Sequence, residues 1–138
     1  MPRPTDFSDL SPTLQTIVLE AGGEGPIGMQ KVAKVMVDRT MLPRWKGLTT
    51  DQIVQQPKQF SGWERKDRIA FLSKQPQGVF LEAAKALKRA QAEAKSQGVT
   101  ADHYVTKELY GSPKRPDWVS KMDVVENYGN HVFLKEKH

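Results

Sequence analysis

Leu19-Glu20-Ala21-Gly22-Gly23-Glu24-Gly25 sets two carboxylates among three glycines, between two segments whose apolar residues repeat at helical spacing. Glycine at that density costs backbone entropy and marks turns or close backbone approach. A carboxylate closing a helix also faces the negative end of the helix dipole. Two readings stay open from these residues alone: a helix–loop–helix corner with solvated acids, or an active site with perturbed ones.

The flanks make the corner. Upstream, Ser11-Pro12 is a helix start, with serine as N-cap and proline at the first helical position. Leu14, Ile17, Val18 and Ala21 then recur on one face, with Glu20 at its margin and Gly22 or Gly23 as the stop. Downstream, Pro26 opens a helix running to about Thr40, with Met29, Val32, Ala33, Val35 and Met36 as a buried stripe. Lys31, Lys34 and Asp38 fall on another face, which the periodicity assigns to water. A stripe that apolar places this helix near the centre of the domain.

Further along, Met41 to Leu48 reads as a loop with Trp45 covering part of the core, and Thr50 caps a short helix to Val54. Gln55 to Trp63 gathers amides, a hydroxyl and two aromatics around a proline and a glycine. Such a loop suits a carbohydrate groove, or equally a surface segment anchored by Phe60. Gly78 to Gln97 has the pattern of a long helix, with Phe80, Ala83, Ala84, Leu87 and Ala90 inward and Lys85, Lys88, Arg89, Glu93 and Lys95 in water. Gly98 ends it.

The character then changes. Asp102 to Val105 and Val124 to Leu134 carry β-branched and aromatic residues around a Gly129-Asn130 turn signal, which predicts short strands or a hairpin. Pro113, Pro116 and Gly111 make the segment between irregular, with Trp118 as an anchor. Helices first and a small sheet last predict an α+β domain, mainly helical, in one unit with its core over about residues 10–134.

Composition sets the outer limits. The 138 residues are enough to bury a core without staples, and the absence of cysteine excludes disulfides and thiolate zinc sites. A net charge of +5 favours an anionic partner such as a polymer or membrane surface, although a solvated lysine face explains the same charge. Met1 to Phe7 lacks the apolar run of a signal peptide, so synthesis in a cytoplasm without a leader is expected. His103, His131 and His138 show no metal-ligand spacing, and neither a cofactor nor a metal is expected. No Gly-x-Ser-x-Gly elbow and no phosphate loop occur, and neither a nucleic-acid motif nor a dense basic stripe with stacking aromatics stands out.

That leaves the acids. Glu20, beside apolar side chains at a helix C-terminus, should have a raised pKa. A carboxylic acid still protonated near neutrality is what glycosidic cleavage needs, because the leaving oxygen must receive a proton. Glu24 stands just before the second helix, where the dipole favours its anion, and two acids pushed apart in this way take different roles. Spacing across glycines leaves open whether both carboxyl groups face one cleft.

Five blocks in order carry a resemblance: Glu20-Ala21-Gly22-Gly23-Glu24; Val32 to Arg39; Gln56-Pro57-Lys58-Gln59-Phe60-Ser61; His103-Tyr104; and Gly129-Asn130-His131-Val132-Phe133. Together they resemble the cell-wall hydrolase family typified by the spore cortex-lytic enzyme SleB. The resemblance implies a lysozyme-like, lytic-transglycosylase-like fold and cleavage of peptidoglycan glycan strands between N-acetylmuramic acid and N-acetylglucosamine. It places the catalytic glutamate on Glu20. It implies that Glu24, Gln59, Phe60, Ser61 and Tyr104 line the sugar groove, with Gly129-Asn130-His131 shaping the sheet nearby. Asp38-Arg39 departs from the Asn-Arg usual in the family.

Lytic transglycosylation with Glu20 as sole acid/base is the expected reaction. Hydrolysis with a second carboxylate is the alternative, and a non-enzymatic anionic-polymer-binding module a further one. A compact basic enzyme of this kind looks like a phage endolysin, a monomer that stays in the host cytoplasm until a holin releases it to the wall. An anionic outer-membrane surface is a second expected contact.

Overall fold

The computed structural model describes residues 10–57 and 59–137. The Met1–Phe7 segment, Lys58 and His138 lie outside the described residues. The fold is α+β, with six α-helices among the described residues, α1 (Pro12–Ala21), α2 (Gly25–Thr40), α3 (Thr50–Val54), α4 (Arg68–Ser73), α5 (Gln77–Gln97) and α6 (Lys107–Tyr110), and a three-stranded sheet, β1 (His103–Thr106), β2 (Met122–Tyr128) and β3 (His131–Glu136).

Local chemistry explains the helix starts. Ser11 Oγ accepts from Leu14 N at 3.1 Å and Pro12 occupies the first turn of α1. Thr49, one residue before the expected cap, forms a reciprocal capping box with Gln52 at α3. α1 stops where expected, with Gly22 as its C-cap, but not by a left-handed turn at that glycine. Gly22 keeps a right-handed conformation, the chain continues through a tight turn (Gly22–Glu24), and the positive φ of 79° falls on Gly25. Only at Gly25 does the corner need glycine's freedom.

α2 packs against α1, α3 and α5, and its Val32, Ala33, Val35 and Met36 are fully buried. α5 meets it through alanines that let the two backbones approach. Its buried line is Phe80, Ala83, Ala86, Ala90 and Ala94. The face is thus rotated from the predicted one: Ala84 and Leu87 are half-buried, and Glu93 accepts from Gln30 Nε2 at 2.9 Å instead of pointing into water. Gly98 ends α5 with φ 72°.

The periodicity misplaced Lys34 and Asp38. Both are buried, and Lys34 Nζ donates to Asp38 Oδ1 at 2.6 Å, Gly98 O at 2.7 Å and Thr100 Oγ1 at 3.2 Å. Asp38 Oδ2 accepts from Thr100 N at 2.8 Å and Ala101 N at 3.3 Å. The segment joining α5 to β1 folds over this face of α2, and the ion pair satisfies the backbone groups that the segment brings in. Buried charges persist only when paired and hydrogen-bonded in this way.

The sheet is antiparallel in the order β1–β3–β2, with Tyr104 opposite Phe133, Thr106 opposite His131, and a bulge between Val124 and Glu126 in the outer strand. Phe133 and Tyr104 pack on the helical core, whereas Val105, Val132 and Leu134 meet Val119 on the opposite face. Val119 is the buried residue of its segment; Trp118, expected as the anchor, stays 40% exposed. Among the described residues, no helix is long and apolar enough to cross a membrane.

Candidate active site

The corner between α1 and α2 lies against the β2–β3 hairpin and α4. Together they enclose a cavity of about 310 Å³, lined by Glu20, Glu24, Phe71, Thr106, Asn130 and His131 along with the glycine turn. Both acids of the corner therefore share one cavity.

Glu20 sits in the last turn of α1, partly buried, where its Oε1 accepts from Gly62 N at 2.9 Å. Burial pushes its pKa above the ordinary 4.5, outweighing the Gly62 hydrogen bond and the nearby His131 charge, both of which pull it down. The proton is retained to higher pH by a desolvated carboxyl held on one oxygen.

Gly62 approaches for a steric reason. A Cβ there would lie 2.8 Å from Leu19 Cβ and 3.1 Å from Glu20 Oε1. Gly62→Ala must push the Phe60–Trp63 segment off α1 and break the hydrogen bond to Glu20. We expect this variant to melt near wild type but lose about 100-fold in rate, because a small misplacement of a catalytic group carries such a penalty. Thermal melts beside initial cleavage rates check it.

Glu24 has a different environment. Its Oε1 accepts from Asn130 N at 2.6 Å, and its Oε2 meets His131 Nδ1 at 2.8 Å. Gly129, at φ 54°, brings the hairpin turn so close that a Cβ would lie 2.4 Å from Glu24 Oε1. Gly28 makes room beneath it, since a Cβ there would lie 2.6 Å from Glu24 Cβ. Both Glu24 oxygens are thus engaged with the hairpin.

The groove residues implied by the resemblance separate. Tyr104 packs edge-on to His131 with ring centroids 5.0 Å apart, and its hydroxyl is buried without a hydrogen-bond partner among the described residues. Burial, then the charge of Glu20, hold that phenol well above its usual pKa, so the hydroxyl keeps its proton. Gln59 accepts from Arg39 Nη1 at 3.2 Å and lines a second cavity, which Tyr104 also borders. Ser61 is exposed and lies on neither cavity wall.

Phe60 departs from the expected groove position. At 2% exposure it is a core residue beneath the Arg39 guanidinium, so it supports the wall without presenting a surface to a sugar. His131 and Asn130 complete the cavity lining and Gly62 holds Glu20 in place; the resemblance set Asn130 and His131 only in the sheet nearby, and spacing gave no sign of Gly62. His131 stands 107 positions from Glu24, and only the sheet register brings it there. Among the described residues, no group of three His, Cys, Asp or Glu side chains is placed to hold a metal ion.

Comparison with known proteins then fixes the lineage. The Cell Wall Hydrolase family matches residues 23–134, most of the chain. The protein belongs to the cell wall hydrolase family. The match begins at Gly23, after Glu20 and just before Glu24.

Two solved structures of this cell wall hydrolase's fold stand out. One is the catalytic domain of the germination-specific lytic transglycosylase SleB from Bacillus anthracis, at 20% identity and TM-score 0.65, covering 98% of this chain and 100% of that one. The other is the catalytic domain of SleB from Bacillus cereus, at 20% identity and TM-score 0.66, covering 98% and 95%. At that identity they show a shared fold. No curated protein sequence matches significantly.

Proposed function

We propose that this cell wall hydrolase cleaves peptidoglycan between N-acetylmuramic acid and N-acetylglucosamine by lytic transglycosylation, the activity named for the Bacillus anthracis domain. The observation that carries the reading is the asymmetry of the two acids. Glu20 holds a desolvated, proton-retaining carboxyl in the cavity, while both oxygens of Glu24 are tied to Asn130 and His131. One free acid suits a reaction that needs one.

In that reaction the Glu20 carboxyl gives its proton to the glycosidic oxygen, and the bond from the muramic acid C1 to that oxygen breaks. The Glu20 carboxylate then takes the proton of the same sugar's C6 hydroxyl, and O6 closes on C1 to give a 1,6-anhydro ring. No water is consumed. The nucleophile is carried by the substrate in near-attack position, so a second protein base is unnecessary.

Mass spectrometry of the muropeptides released from purified peptidoglycan tests this directly. Anhydro ends are expected, and reducing ends would show hydrolysis with a second carboxylate instead. The pH profile follows from Glu20. Because its folded-state pKa is raised, the acid form persists above pH 4.5, and the rate is expected to fall as pH rises through that raised value. The Glu20→Gln variant should lack this limb altogether.

The biological setting we propose is lysis by a phage endolysin, monomeric, working on the wall after a holin opens the inner membrane. The net charge of +5 suits the anionic surface of that compartment. Expression in a Gram-negative host is expected to clear the culture when a holin is co-expressed and not without one.

A further inference from the structure

A second cavity, of about 370 Å³, opens beyond Tyr104 and is lined by Arg39, Arg44, Gln59, His103, Trp118 and Glu136 among others. Its floor holds an unusual cation. Arg39 is 3% exposed, yet its hydrogen bonds among the described residues go to neutral oxygens: Nε to Asp102 O at 2.8 Å and Nη1 to Gln59 Oε1 at 3.2 Å. Among the described residues no carboxylate pairs with it directly. Buried guanidinium groups are ordinarily paired with one, and a lone buried charge is costly.

The nearby acids are committed elsewhere. Glu136 pairs with Arg44 at 3.0 Å. Asp102 is fully buried, meets His103 Nδ1 at 3.0 Å and accepts from Glu136 N at 3.1 Å. The Arg39 faces are covered too, by the rings of Trp45 at 4.8 Å and Phe60 at 4.9 Å, which leaves the edge of the guanidinium plane as the approach for a ligand. Burial, its largest influence, lowers the Arg39 pKa to about 10. A ligand anion would offset that desolvation.

We propose that this cavity is a carboxylate-binding subsite that takes an acidic peptide branch of the glycan strand, with Arg39 as its anchor. The proposal rests on the peptidoglycan reading above. A carboxylate fits the in-plane N–H groups of a guanidinium in the fork geometry that a lysine cannot reproduce. The flanking Trp118 and Met122 supply an apolar wall for the aliphatic part of a short peptide, and Trp118 is 40% exposed at the mouth, beside His103 with ring centroids 5.3 Å apart. Tyr104 links the two sites, since it borders this cavity and packs on His131 of the first. A strand cleaved at Glu20 could thus be held at the same time by its peptide.

The test titrates the free tripeptide L-alanyl-γ-D-glutamyl-meso-diaminopimelate into the wild-type protein, following the Trp118 indole N–H by NMR. Saturable shifts are expected, with the carboxyl-amidated peptide binding at least tenfold more weakly. Arg39→Lys, which keeps the charge and loses the fork, is expected to weaken binding about tenfold. Should that variant fold poorly, Trp118→Ala at the exposed rim is expected to weaken the same peptide, read by calorimetry. Absence of saturable binding, or equal binding of the amidated peptide, overturns the proposal. Turbidity clearance of purified peptidoglycan reports the glycosidase reading separately: clearance without peptide binding sinks the subsite alone, and peptide binding without clearance leaves the subsite and sinks the reaction.

Discussion

Glu20→Gln is expected to leave a folded protein that clears peptidoglycan roughly 10³-fold more slowly, the scale of a lost general acid. The substitution is nearly isosteric, and the glutamine Oε1 can still accept from Gly62 N, which now sits 2.9 Å from the glutamate oxygen. Structure and chemistry are thereby separated. Stability supplies a second readout with a definite sign. Glu20 has a folded-state pKa above its ordinary 4.5, so its contribution to stability is present at low pH and is lost as pH rises through the folded-state value. Urea denaturation should therefore find wild type and variant equal at acid pH and the variant the more stable near neutrality. A variant that clears walls at the wild-type rate would overturn the catalytic assignment.

The largest stability effect is expected at Asp38, away from the reaction. Asp38→Ala leaves the Lys34 ammonium, whose side chain is 4% exposed, facing a void, and removes the acceptor of Thr100 N and Ala101 N. Breaking a buried pair by removing one partner costs about 3–5 kcal/mol. That is a large part of a domain's total stability, and the midpoint in urea should fall accordingly. Removing both charges together, as Lys34→Met with Asp38→Asn, is expected to recover most of the loss, since the cost lies in the stranded charge. If Asp38→Ala unfolds at the wild-type urea concentration, the ion pair contributes nothing to the fold.

These two positions mark what a sequence can and cannot disclose. The raised pKa of Glu20 was legible because its signals are local: an apolar helix face, a helix end and a run of glycines. The same holds for the Ser11-Pro12 start and the central stripe of α2, which need only one helix to be read. Asp38 was misread for the opposite reason. The segment that covers it arrives from 62 positions away, and nothing in the periodicity of α2 records its arrival. The resemblance put Phe60 on the groove, while its loop read alone also allowed it to be an anchor; its burial beneath Arg39 fits the anchor. The rotation of α5 by part of a turn, toward Ala86 and Ala94, reflects which alanines the neighbouring helix demanded.

Glu24 also fastens together two parts of the molecule that fold at a distance. The hydrogen bond from Asn130 N spans 106 positions and closes the hairpin turn onto the helical corner, so one wall of the cavity is tied down through Glu24. The turn at the tip of a hairpin opens with less free energy than the core strands behind it. Heating or mild denaturant should therefore silence the enzyme before its helices melt, with the Asn130 amide exchanging its proton ahead of those in α2. Inactivation and unfolding would then be two events, separated by the strength of a single carboxylate's grip.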